Sequence, residues 1–174
     1  MSILERLAGR SSAKDAGRRL YAAAVAEARS PAIYADLGAP DTPDGRFEVY
    51  TLHVLLLVER LRGHGATAGA VSQATFDAYL DGLDHGLREM AVGDVSVGKA
   101  MRKLGEAFYG RGKSWEEAIA ALPDRAPLEA LLRRTVFGGS GNADPCRLAA
   151  YLLDARDRLA QTPLDRLLQG DVGA

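Results

Sequence analysis

The chain offers few groups that could do covalent or metal chemistry: three histidines, His53, His64 and His85, and one cysteine, Cys146. No two histidines stand at a short metal-ligand spacing. The Glu-x-x-His pair that a carboxylate-bridged metal centre requires on two helices of a bundle is absent. His64 falls within Gly63-His64-Gly65, where a helix must end. His53 lies beside an apolar stripe on a helix that also carries Arg46 and Arg60. It reads as a hydrogen-bonded boundary residue rather than a ligand or base. Cys146, with no partner nearby in sequence, reads as a small apolar residue at a helix start. A single cysteine leaves no internal disulfide and suits a reducing compartment.

The acidic residues Asp77, Asp81 and Asp84 share a helix face with Arg88. The spacings Asp84–Arg88 and His85–Glu89, each four residues, describe a solvated, ion-paired face rather than a cation site. Gly138-Gly139-Ser140-Gly141-Asn142 has the look of a nucleophile elbow, but its last position is Asn and no strand precedes it. As a phosphate loop it lacks the Lys-Ser/Thr pair, and Asp144 at the next helix start would repel an anion. This stretch is expected to be a flexible loop between helices. No catalytic residue, metal or cofactor is expected.

What positions these groups is a set of helices. Asp15 to Arg29 is rich in alanine and other good helix formers. Ser30-Pro31 and Thr42-Pro43 each place a capping residue before a proline, and a long helix follows from about Asp44 to Arg62. Its residues Phe47, Tyr50, Val54, Val58 and Leu61 form one stripe, while Leu52 and Leu56 face the other way. A helix apolar on two faces belongs at the centre of a bundle. Ser72 is expected to cap a helix carrying Phe76, Leu80, Leu83, Leu87 and Met90. Ser96 is expected to open another, with Val97, Met101, Leu104 and Phe108, that closes at Gly110. Ser114-Trp115-Glu116-Glu117 reads as a capping box for a further helix. Segments from Pro127 to Phe137, from Pro145 to about Gln161 and after Pro163 complete the series. Alternating strand patterns with hairpin turns are missing. The expected fold is all-α, an irregular single-domain bundle of about six to eight helices over residues 15–170, after a flexible or weakly amphipathic segment 1–14.

Composition agrees. The 174 residues are 47% hydrophobic and 26% charged, enough to build a core without metal or disulfide. The formal net charge of −1 argues against a nucleic-acid coat, and no DNA partner is expected, although 18 of the 22 basic residues are Arg. The longest unbroken aliphatic run, Val54 to Val58, falls far short of the roughly 20 residues of a membrane span. The Arg-rich N-terminus lacks the apolar stretch of a secretion signal, and Glu5 and Asp15 count against a transit peptide. A bacterial cytoplasmic location is expected, with peripheral contact at the inner membrane left open.

Charged and aromatic residues gather in two segments, DTPDGRFEVYTLH from Asp41 and LREMAVGDVSVGKAMRKLGEAFYGR from Leu87. Glycines 45, 93 and 110 within them read as structural. In order and separation, the two segments resemble the core signature of the ubiquinol–cytochrome c chaperone family, and EARSPAIYADLGAPDT before them resembles its lead-in. The resemblance covers roughly Leu20 to Ile119. It implies a non-catalytic chaperone that binds newly made cytochrome b during assembly of the respiratory bc1 complex. It also implies action near the ribosome with a small helical partner subunit. On that reading Arg46, His53, Arg88, Glu89, Asp94, Lys99, Tyr109 and Arg111 would form the shared partner-binding surface. Met90, Met101 and Phe108, which helical spacing alone assigns to the core, would line an adaptable apolar groove. Two other readings stay open: a helical enzyme or small-ligand-binding protein built on a pair such as His53 and Glu89, and a ribosome- or membrane-surface adaptor.

Overall fold

The computed structural model describes residues 3–89, 94–139 and 144–173, the side chains of residues 3–8, 10, 94 and 95 excepted. Among these residues are eight helices and no strand: α1 Ile3–Ala28, α2 Pro31–Ala35, α3 Pro43–Leu61, α4 Gly65–Glu89, α5 Asp94–Ala120, α6 Ala126–Thr135, α7 Cys146–Gln161 and α8 Leu164–Leu168. The all-α bundle is therefore the fold.

Helix α3 is its centre, touching α1, α4 and α7. Val49, Leu52, Val54, Leu55, Leu56, Leu57 and Leu61 are all buried, and Phe47, Tyr50 and Val58 are partly so, so both faces its sequence marks as apolar pack into the core. Thr42 caps its start, the hydroxyl oxygen accepting from the Gly45 amide at 3.1 Å. Gly45 is required there, because a Cβ would stand 2.1 Å from the Pro40 carbonyl oxygen. Gly110 meets nothing within 4 Å and has no such constraint, and Gly93 lies outside the described residues.

Helices α1 and α4 form the most extensive helix pair. On α1 the buried face is Ala13, Ala16, Leu20, Ala24 and Ala28 at spacings of three and four, and all but Leu20 are small residues that let the axes approach. The closest approach is at Gly17, whose Cβ would lie 2.6 Å from the backbone of Ala74 and Thr75. Because α1 is continuous from Ile3 and Ala13 already belongs to the core, no element boundary falls near residue 14.

Three helix ends differ from expectation. Helix α4 begins at Gly65, not Ser72, because Ala68 and Val71 continue the buried row of Thr75 and Tyr79 back past Gly69 and Thr67, whose helix propensity is weak. Helix α5 starts at Asp94, two residues before Ser96, and runs through Gly110 and Ser114 to Ala120. The capping box at Ser114 is not used. Phe108, Trp115 and Ala118 lie on one buried face, and their burial carries the helix across Gly110 and Gly112, which local propensity would penalise by roughly 1 kcal/mol each.

Two polar links hold α5 to α3. Glu48, 6% exposed, receives both arms of the Arg111 guanidinium. Glu59 accepts from Trp115 Nε1 at 2.7 Å and from Arg156 Nε at 2.8 Å, joining α3, α5 and α7 through one carboxylate. Its removal strands a buried indole N–H and half-buries an unpaired guanidinium. Glu59→Ala should therefore cost about 2–3 kcal/mol in denaturant unfolding. Glu116→Ala, which breaks only the exposed pair with Arg62, should stay within about 0.5 kcal/mol of the parent.

Candidate functional site

Four aromatic rings collect where α4 meets α5. Phe76 lies 4.7 Å from Phe108 and 5.8 Å from Tyr109 between ring centroids, and Tyr79 lies 5.4 Å from Phe108. Tyr79 is fully buried and anchors the group to α3. The Thr51 hydroxyl donates to the Phe47 carbonyl at 2.8 Å, so in its 2.8 Å contact with Thr51 the Tyr79 hydroxyl is the donor. Burial raises the Tyr79 pKa well above the ordinary phenol value.

Outside this anchor the rings become progressively exposed. Tyr109 is 69% exposed, the one large apolar side chain so exposed among the described residues. It stands at the edge of a groove of about 320 Å³ whose walls are Val58 and Leu61 of α3, Gly69, Ser72 and Phe76 of α4, and Phe108 of α5. At Gly69 nothing lies within 4 Å of where a Cβ would stand, so this part of the groove floor is bare backbone.

The expected site residues divide by environment. Tyr109 is at the groove, and Phe108 belongs to both the core, at 5% exposure, and the groove wall. Met101 is half-buried but does not line the groove. Met90 lies outside the described residues, as does the Asp94 side chain. Lys99 is exposed on α5. Arg46 is exposed, paired with Asp41, with its guanidinium 5.6 Å from the Tyr34 ring centre. Arg88 pairs with Asp84 at 2.7 Å, and Glu89 lies 3.3 Å from His85 Nε2. Arg111 turns inward, committed to Glu48 and lying 5.5 Å from the Phe47 ring centre. Among the described residues, no group of three or more His, Cys, Asp or Glu side chains is placed to hold a metal.

His53 stands apart from the exposed residues expected to share a surface with it: it is 5% exposed and packed between α3 and α7. Its Nδ1 lies 2.8 Å from the Val49 carbonyl, which can only accept, so Nδ1 carries the proton. Nε2 then accepts from the Tyr151 hydroxyl at 3.0 Å. That hydroxyl is also 3.3 Å from Glu27 Oε2, and its one proton serves one acceptor at a time. A cavity of about 450 Å³ opens at His53 between α1, α3, α7 and the C-terminal segment. Its carboxylate is Glu27, not Glu89, so the cavity does not unite the pair His53 and Glu89.

Sequence reasoning singled out none of Glu27, Glu48, Glu59 and Tyr151, because their partners lie on other helices, nor Arg158, which tertiary packing alone brings to the cavity. The one available signal was an acidic residue inside a helix apolar on two faces, which needs a cation or a donor from a neighbour.

Burial is the first cause of the lowered His53 pKa; Arg158 adds to it, while the Val49 bond and Glu27 oppose it. The folded state thus holds this proton more weakly than the unfolded chain, whose value is near 6.5. The resulting stability is fully present above about pH 6.5 and declines as pH falls through that value. Thermal unfolding followed from pH 8 to pH 5 should show this decline in the parent protein and a shallower one in His53→Gln.

The chain matches the model of the family described as ubiquinol–cytochrome C chaperone over residues 35–174. No curated protein matches it. Among solved structures it is similar to the crystal structure of the Cbp3 homolog from Brucella abortus, with 35% identity and a TM-score of 0.84. That similarity covers 98% of this chain and 94% of the other, so α1, which lies before the family match, is shared as well. With the family pattern over most of its length and the same bundle in that relative, the chain belongs to the ubiquinol–cytochrome c chaperone family.

Proposed function

We propose that this protein is a non-catalytic assembly chaperone that holds an apolar helix of newly made cytochrome b in the groove between α3, α4 and α5. The observation that carries the reading, beside the family, is the groove itself: aromatic on one wall, glycine-floored, and rimmed by the exposed ring of Tyr109. A client that spans a membrane presents apolar helices that need cover until their partners arrive. A groove receiving an amphipathic or apolar helix is an established mode of recognition. Glycine inside a helix lowers its stability by about 1 kcal/mol relative to Ala. No contact among the described residues demands a glycine at position 69. Room for a partner's side chain accounts for it.

Arg46, Arg88, Glu89 and Lys99 are the proposed contacts for polar client loops, and also for a ribosomal or headgroup surface or a small partner subunit. Arg111 contributes by fixing α5, through Glu48, rather than by contact. No described helix is long and apolar enough to cross a membrane.

Gly69→Leu tests the groove directly. Its Cβ meets nothing within 4 Å, the rest of the side chain enters the groove, and a poor helix former is exchanged for a good one. Its thermal midpoint should equal or exceed the parent's. Tagged Gly69→Leu extracted in mild detergent should nevertheless lose cytochrome b that the parent retains, and the bc1 complex should fall in cells relying on this copy. Arg46→Glu/Arg88→Glu should weaken retention to a smaller extent. Full retention and normal bc1 levels in a well-folded Gly69→Leu would reject the groove as the client site.

A further inference from the structure

The cavity at His53 shares no lining residue with the groove, and the chaperone reading does not use it. Its volume, about 450 Å³, falls within the range of small-ligand sites, and its composition is that of one: mostly apolar walls with a few convergent polar groups. Ala24, Leu56, Leu57 and Leu159 supply the apolar part, the first three almost wholly buried. Small residues on α1 and α7 keep the space open, since larger ones at Ala23 or Ala155 would close it.

The polar groups differ in how far they are engaged. Arg166 is held by Asp171 at 2.8 and 2.6 Å. Glu27 faces the Tyr151 hydroxyl, and His53 is bonded at both nitrogens. Arg158 alone of the lining cations has no hydrogen bond or ion pair among the described residues. The walls around it are fixed. Arg60 donates to the Leu159 and Thr162 carbonyls at 2.9 and 3.0 Å, and the Thr162 hydroxyl stands 3.1 Å from both the Arg158 and Val172 carbonyls. A fixed recess, apolar in its depth with one uncommitted guanidinium at its mouth, matches a molecule with an apolar chain and an anionic end.

We propose that this cavity binds a single-chain anionic amphiphile, its chain against Leu56, Leu57 and Leu159 and its carboxylate or phosphate head on Arg158. A guanidinium fork receives either head group, so free fatty acids and phosphorylated single-chain lipids are both candidates. Glu27 on the α1 wall and the neutral His53 at the floor leave no place for a second anionic group in the depth.

The test uses the full chain with dodecanoate, dodecyl phosphate and dodecyltrimethylammonium, each below its micelle-forming concentration. Binding is followed by calorimetry and by the NMR signals of the His53 ring, which forms part of the floor. At least one anionic probe should bind saturably at one site and move those signals. Arg158→Gln should weaken that binding about tenfold or more, the expected loss for one charge-assisted contact. Ala23→Phe, which fills the cavity from the half-buried side of α1, should abolish it. Arg147→Gln, a change at an exposed arginine outside the cavity, should leave it intact. The ratio of dodecanoate to dodecyl phosphate affinity identifies the head group. Absence of saturable anion binding, equal binding of the cationic probe, or affinity unchanged in both Arg158→Gln and Ala23→Phe would overturn the proposal. None of these results bears on cytochrome b retention by Gly69→Leu, so the two sites fail or stand separately.

Discussion

The bundle depends on one constraint: α3 is dry on nearly every side, yet it carries Glu48, Thr51, His53 and Glu59. A polar group removed from water must find a partner or impose a penalty of a few kcal/mol. Each of the four finds one on a different neighbour or at a different level. Glu48 takes Arg111 of α5, Thr51 takes Tyr79 of α4, His53 takes Tyr151 of α7, and Glu59 takes both Trp115 and Arg156. Among the described residues no buried side-chain polar atom is left without a partner. Apolar contact alone tolerates sliding and rotation of one helix on another. Directional bonds do not, so these four residues set the register in which α4, α5 and α7 pack around α3.

That register also determines where the molecule is left unfilled. Val58 and Leu61 lie on one face of α3 and border the aromatic groove, whereas His53, Leu56 and Leu57 lie on another and border the cavity. Neither recess is a packing failure. The groove is framed by rings anchored through Tyr79, and the cavity by Arg60 bonded to the carbonyls at the end of α7. In both places small residues, Gly69 in one and Ala23, Ala24 and Ala155 in the other, hold space that larger side chains would close.

Much of the architecture was legible in the sequence because the helix period and the proline-bounded starts of α2 and α3 are local signals. The apolar stripes of α3 identified it as central, and it is. Less legible were helix ends that tertiary burial decides. Ser114 carries every local mark of a cap, but Trp115 beside it is 2% exposed and bonded to Glu59, fifty-six positions away in the chain. That long-range burial prolongs α5 past the cap. The same blindness applies to the site. The aromatic residues Phe108 and Tyr109 stood out in the sequence, but Gly69, which leaves the groove its floor, had no reason to. The pairing of Arg111 with Glu48 could not be told from the pairing of Arg46 with Asp41, although the first is nearly buried and the second exposed.

This last contrast decides which charges can serve recognition. A guanidinium held by a buried carboxylate cannot turn to a partner without leaving that carboxylate unpaired in a dry place, a loss comparable to the gain from a new contact. An exposed pair such as Arg46–Asp41 exchanges partners almost freely, because solvent already screens it. What internal packing leaves available at the surface is the Tyr109 ring, the backbone at Gly69, the charges of Arg46 and Lys99, and Arg158 at the cavity mouth, and these are the groups on which the proposed recognition rests. The interior, by contrast, is occupied by residues whose chemistry could have looked functional, His53 among them, but whose hydrogen bonds are taken up in holding the helices in place. On the proposed reading, what such a chaperone requires is a rigid frame whose polar groups are satisfied inside, so that the apolar surface it exposes stays open for a client instead of collapsing onto the frame itself.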